Sequence, residues 1–243
     1  MSAGPERRSS PLAFASIGFL MALGVAALTA LGIWQLERRA WKLTLIGQIA
    51  ERAHSAPARA PGPELWPRIS PAHDAYRRIS VAGEFLNDLE TPVQAVTRLG
   101  GGFWILTPLR TAEGFIVLVN RGFVPPNLRS AAARPAGVPG GESTVTGLLR
   151  ISEPKGAFLR ANDPGSDRWY SRDVAAIAEA RKLGRVAPYF IDADAAPVPG
   201  GFPVGGLTVL DPPNNHLTYA LTWFTLAIML LGAAVRLARR TVA

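Results

Sequence analysis

Two stretches of this chain carry no Asp, Glu, Lys or Arg: Pro11 to Leu36 and Pro212 to Val235. Each is at least as long as the roughly 20 residues a helix needs to cross a bilayer core. Between them the period shortens to two. Arg77 to Leu86 alternates, with Ile79, Val81 and Phe85 on one face. Thr91 to Arg98 repeats the spacing through Val93, Ala95 and Thr97, and Ser143 to Ile151 through Val145, Gly147, Leu149 and Ile151. Gly102 to Arg110 and Phe115 to Gly122 flank Thr111-Ala112-Glu113-Gly114, a hairpin signal. Tyr189 to Asp192 and Leu207 to Leu210 are shorter strand candidates. One helix is expected, capped by Ser171 with Asp173 in its first turn, running to Leu183 and stopped by Gly184.

The pattern predicts a membrane protein. Two transmembrane α-helices, N- and C-terminal, flank a β-rich α+β extracytoplasmic domain, expected to be a small antiparallel barrel or sandwich. The expected division is a tail at 1–10, a first span at 11–36, the β-rich domain at 37–211, a second span at 212–235 and a basic tail at 236–243. The first helix is expected to run on through Glu37 to Lys42 towards Ala53. A Pro- and Ala-rich connector covers 56–71, and a Pro-rich loop covers 125–141. In the first span small residues recur every fourth position, at Gly18, Ala22, Ala26 and Ala30, a stripe that would let another helix come close. A cleaved signal peptide is the competitor for this span, but its apolar region is usually about 7–15 residues, so an uncleaved anchor is expected.

Charge sets the orientation. The formal net charge is +8. Arg7 and Arg8 precede the first span, and Arg236, Arg239 and Arg240 follow the second. The positive-inside rule puts both termini in the cytoplasm and the central domain outside. In a bacterium that is the inner membrane with a periplasmic domain. Because so much of the excess borders the spans, lipid and topology explain it and no nucleic-acid partner is expected. The chain has no cysteine, which excludes disulfides, zinc–thiolate sites, iron–sulfur clusters and cysteine nucleophiles.

Of the three histidines, His54 and His73 lie in or near the connector, without metal-pair spacing. His216 stands at the mouth of the second span, behind Pro212-Pro213-Asn214-Asn215, where Asn214 or Asn215 can cap the helix. His216, Tyr219 and Trp223 follow i, i+3, i+7 spacing and share a helix face. An antiparallel hairpin brings Trp34, Gln35, Arg38, Trp41 and Lys42 to the same depth. Two readings stand side by side. One is an interfacial histidine within an aromatic belt. The other is an axial metal ligand, since imidazole, aromatic rings and cations suit a porphyrin with propionates. Asn120-Arg121-Gly122 ends a strongly apolar strand. It is either a plain strand end or an arginine set to contact a partner. Gly100-Gly101-Gly102 lacks the strand–turn–helix setting of a phosphate loop, and no serine sits in a nucleophile elbow. No enzyme activity is expected.

Three motifs in register resemble the Surfeit locus protein 1 family. They are Leu31-Gly32-Ile33-Trp34-Gln35-Leu36-Glu37-Arg38 followed by Trp41-Lys42, then Val119-Asn120-Arg121-Gly122-Phe123-Val124-Pro125, and Asn215-His216-Leu217-Thr218-Tyr219-Ala220-Leu221-Thr222-Trp223-Phe224. Phe123 stands where Trp is expected and Thr218 where Gln is expected. The resemblance implies an assembly factor for haem–copper terminal oxidase, mainly the aa3-type cytochrome c oxidase. It would hold haem a and aid insertion into the catalytic subunit, and the family's haem-linked histidine carries over to His216. It also implies haem a synthase as a second partner. A scaffold that shields the half-built catalytic subunit without binding haem fits the same family.

Overall fold

The computed structural model describes residues 11–157 and 159–242. By contacts the chain divides into two units, residues 1–47 with 211–243, and residues 48–210.

Helix α1 (Pro11–His54) is continuous. Its sequence has no proline after Pro11 to interrupt the hydrogen-bond ladder. Its 44 residues span about 66 Å at 1.5 Å each, about twice a bilayer core, so it extends well beyond Leu36. At the other end of the chain, helix α4 covers His216–Val242. Both helices are long and apolar enough to cross a membrane, and 0% and 11% of their most apolar windows are buried inside the protein. A soluble core helix would be mostly covered, so these apolar surfaces are suited to lipid.

Within this unit the half-buried positions of α1 recur every seven residues through Met21, Leu28, Gln35 and Lys42. Gly24 and Gly32 join this seam: a Cβ on Gly24 would stand 2.7 Å from the Leu230 side chain, and one on Gly32 2.6 Å from the Phe224 ring. The expected stripe of Gly18, Ala22, Ala26 and Ala30 faces away and is exposed. The correction has a physical reason. Small residues permit approach on any face, and the bulky side chains of the neighbouring helix select which gaps are used.

The second unit takes in the last residues of α1 and continues with β1 (Ala58–Arg59) and a single helical turn α2 (Pro71–Asp74). Strands β2 (Arg78–Phe85), β3 (Thr91–Thr97), β4 (Gly100–Thr111), β5 (Ile116–Val124) and β6 (Glu142–Ile151) follow. Helix α3 (Val174–Ala180) and β7 (Val186–Ala193) complete it. The sheet order is β1-β2-β6-β7-β5-β4-β3. A further pairing, Gly83 with Thr111 through Phe85 with Leu109, joins β2 to β4. It closes β2, β6, β7, β5 and β4 into a barrel, with β3 extending the sheet beyond β4. One contact within the barrel, β5 with β7, is parallel.

Alternation along each strand separates two cores. Ile79, Leu109, Val117, Val119, Leu149, Tyr189 and Ile191 form one cluster. Their neighbours in the strands, Leu118 and Phe190, pack with Val93, Trp169, Val174 and Ile177 in the other, beneath α3. Fully burying each such side chain is worth about 1.5–3 kcal/mol.

Three expectations are corrected. Residues 56–71, expected as an extended connector, carry a strand and a helical turn packed on the barrel: Ala60 is buried, Trp66 packs edge-on against Phe115 at 5.7 Å, and the Tyr189 hydroxyl donates to the Pro61 carbonyl at 2.8 Å. Asp173, not Ser171, caps α3 by accepting from the Ala176 N–H at 3.2 Å, while Ser171 Oγ accepts from the Gly156 N–H. Residues 207–210 form no strand, because Thr208 is drawn into a polar cluster described below.

Candidate functional site

Pro212 and Pro213 have no N–H to donate, so a helix can start at them but not continue through them. Helix α4 begins at His216, its first residue. The Asn215 carbonyl accepts from the Tyr219 N–H at 3.2 Å, as an N-cap residue does. Asn214 does not cap: both polar atoms of its buried amide lack a protein partner. The Pro213 carbonyl is held by Lys42 Nζ of α1.

His216 Nδ1 lies 2.7 Å from Gln35 Oε1. This is the centre of the site, and it ties two of the residues singled out in the sequence. On α4, His216, Ala220, Trp223 and Ala227 are spaced i, i+4, i+7, i+11, and Ala220 and Ala227 are buried. Trp223 is half-buried with its indole N–H unpartnered. Tyr219, expected on the same face, turns outward and is 55% exposed. On α1, Trp34 is 52% exposed. Arg38 is exposed too, its guanidinium 3.9 Å above the Trp41 ring. Trp34, Arg38 and Trp41 follow i, i+4, i+7 and form a second face, about 100° around the helix from Gln35. The structure therefore joins His216 with Gln35, sets Trp223 on α4's side of the seam, and leaves Tyr219, Trp34 and Arg38 facing outward.

Among the described residues no group of three or more His, Cys, Asp or Glu converges to hold a metal ion. A single imidazole is too few ligands for a bare ion. It suits a metal that arrives with its own equatorial ligands. His216 Nε2 has no hydrogen-bond partner among the described residues. The uncommitted imidazole nitrogen and the unpartnered Trp223 indole N–H, on one face of α4, fit a haem.

The Asn120-Arg121-Gly122 motif has interior partners instead of an outward face. Asn120 donates to Asp192 Oδ1 at 2.7 Å and accepts from the Gly122 N–H at 3.2 Å. Gly122 adopts φ +131°, and a Cβ there would stand 2.2 Å from the Val204 backbone, so no other residue fits. Arg121 is 9% exposed, donates to the Gly137 carbonyl and lies 5.2 Å from the Phe85 ring centre. Burial, then repulsion from Arg134, push its pKa down to about 10 against the opposing pull of Glu90. Its carbonyl contact holds the Pro-rich loop to the end of β5. The guanidinium is thus largely enclosed, with Nη1 left unpartnered.

Asp192 was missed in the sequence. Its carboxylate accepts from Asn120, from Arg150 Nη1 at 2.7 Å, from Arg172 Nη1 at 3.1 Å and from Thr208 Oγ1 at 2.9 Å. Glu153 takes the rest of Arg172. This cluster lines a cavity of about 210 Å³ together with Tyr76 and Trp104. The signal was available: an aspartate after Tyr189-Phe190-Ile191 has to be paired if the strand is buried.

A model of the SURF1 family matches residues 22–228. A SURF1-like protein of Monosiga brevicollis is 36% identical over 226 residues, covering 86% of this chain and 83% of that protein. Surfeit locus protein 1 of Homo sapiens is 34% identical over 215 residues, covering 81% and 69%. The Mus musculus protein of the same name is 33% identical over 212 residues, covering 81% and 67%.

Proposed function

We propose that this chain, which belongs to the SURF1 family, is an assembly factor for aa3-type cytochrome c oxidase that holds haem a at His216 and aids its insertion into the catalytic subunit. One observation carries the haem reading: a histidine at a helix mouth, bonded through Nδ1 to Gln35, with Nε2 uncommitted. Bound there, haem a would supply an iron able to take a ligand from the protein. His216 would hold it through the uncommitted Nε2. Trp223, on the same face of α4, would offer a ring face; Arg38, Trp34 and Tyr219, expected from the sequence to join the site, face away from the His216–Gln35 contact and would meet the haem only through its periphery. The role is binding and delivery, not catalysis of a reaction. The catalytic subunit and haem a synthase are the proposed partners. In this reading both termini are cytoplasmic, the membrane is the bacterial inner membrane, and the barrel is periplasmic.

The test is haem per protein, by pyridine haemochrome, on protein purified from cells that make haem a. Wild type is expected to show a Soret band, and His216→Ala to accumulate normally and lose most of its haem. Equal haem in both refutes ligation by His216. A wild type without haem that still co-purifies with oxidase subunits is the outcome for a pure scaffold. Alkaline phosphatase fused after Ala136 is expected to be active and after Ala243 inactive; the reverse overturns the topology.

A further inference from the structure

The bond between Gln35 and His216 has a direction. An amide oxygen only accepts, so the nitrogen 2.7 Å from Gln35 Oε1 must carry the hydrogen, and that nitrogen is Nδ1. In a neutral imidazole the other nitrogen is then the acceptor, and Nε2 presents its lone pair. Contacts on either side of Gln35 fix the register in which it meets the ring. Seven residues on, Lys42 of the same seam holds the Pro213 carbonyl, three residues before His216. Three residues back, Gly32 leaves the gap that receives Phe224. The amide is thus brought to His216 by packing above and below it, not by the reach of a free side chain.

We propose that Gln35 is a positioning residue for the haem site. It holds the His216 imidazole as the Nδ1–H tautomer with Nε2 free for iron, and as a neutral acceptor it keeps that nitrogen a donor of moderate strength, so that haem is held and can be given up. The proposal rests on the reading of His216 in the preceding section. The physical reason lies in the acceptor. A carboxylate opposite Nδ1 would draw the hydrogen towards itself, make the ring more basic and strengthen the bond to iron. An amide draws less. A protein that must release its haem is served by the weaker donor. A neutral acceptor also avoids the cost of an ionised carboxylate in a membrane helix.

Selective ¹⁵N-histidine labelling of the haem-free protein in detergent micelles reads the tautomer without any substitution at Gln35. The His216 signal is assigned by its loss in His216→Ala. The expected spectrum has a protonated Nδ1 and an unprotonated Nε2; a protonated Nε2 overturns the proposal. Haem a added to the detergent-solubilised protein supplies the second readout. Gln35→Leu keeps the bulk and cannot accept, and is expected to bind about 10- to 100-fold more weakly. Gln35→Glu restores an acceptor. It is expected to bind at least as tightly as wild type, to pass haem to apomyoglobin more slowly, and to show a lower reduction potential. A Gln35→Leu variant with wild-type affinity and potential, beside a His216→Ala variant that has lost haem, overturns the role of Gln35 and leaves His216 as the ligand. If His216→Ala keeps its haem, the ligand reading fails first and the Gln35 proposal with it.

Discussion

The barrel and the helical hairpin satisfy their polar side chains to different degrees. In the barrel, Asp192 is nearly inaccessible and receives hydrogen bonds from four residues, Asn120, Arg150, Arg172 and Thr208. Even the buried arginines with one unpartnered nitrogen, Arg121 and Arg134, keep another bonded, to Gly137 and to Glu90; the exception is Thr107, whose buried hydroxyl lacks a partner. In the hairpin, Asn214 has neither amide atom bonded, Trp223 has its only polar atom free, and His216 has one nitrogen engaged. A buried polar group left without a partner costs about 1–3 kcal/mol. A saturated cluster recovers that cost and holds a fold together. An unsaturated one leaves capacity for a ligand. The difference teaches that the most elaborate polar network of this molecule is structural, and that the sparse one is the place to look for function.

The sharpest way to break this contrast is at Asp192. Asp192→Ala leaves Arg150 and Arg172 sharing Glu153 as their only carboxylate, in a buried setting. It is expected to destabilise the barrel by about 3–5 kcal/mol, seen as a lower melting temperature in detergent and less protein in the membrane. Unchanged melting would mean that the network is not structural. Arg121→Ala comes next, with an expected loss of about 1.5–3 kcal/mol as the Gly137 carbonyl loses its donor. Arg121→Met is expected to lose clearly less than Arg121→Ala. Methionine fills similar space and removes both the desolvation of the guanidinium and its repulsion from Arg134, the causes that lower its pKa. Equal melting of the two variants would defeat that account.

Substitutions in the hairpin are expected to spare the barrel. Gly32→Ala presses a methyl against the Phe224 ring. Overpacking of this kind costs about 1 kcal/mol or more. Its expected signature is reduced haem per protein with the barrel's melting unchanged. A variant with full haem content would show that the close approach at Gly32 does not matter to the site. His216→Ala should have the smallest effect on stability, below about 0.5 kcal/mol. A large drop in melting temperature would place His216 with Asp192 among the structural groups.

Much of this was readable in one dimension. Absence of charge over Pro212 to Val235 marks a span whatever it packs against, since lipid asks only for length and apolarity. Alternation at Ile79, Val81 and Val145 marks strands because the pleat has a period of two everywhere. His216 stood out because a lone imidazole at a helix mouth has ligand chemistry by its nature. Local period and local chemistry travel with the sequence. What depends on distant partners does not. That β2 also pairs with β4, making a barrel of what could have been a sandwich, is a contact between Gly83 and Thr111 that neither strand announces. That Arg121 turns inward to the Gly137 carbonyl is likewise set by a loop that its own strand does not announce. The stripe of Gly18, Ala22, Ala26 and Ala30 was genuine and faced the wrong way, because helix rotation was decided by Phe224 and Leu230 on another helix. Gln35 became the partner of His216 only through that same rotation: 181 positions apart in the chain, they meet at 2.7 Å because packing, not pattern, aligned the two seams.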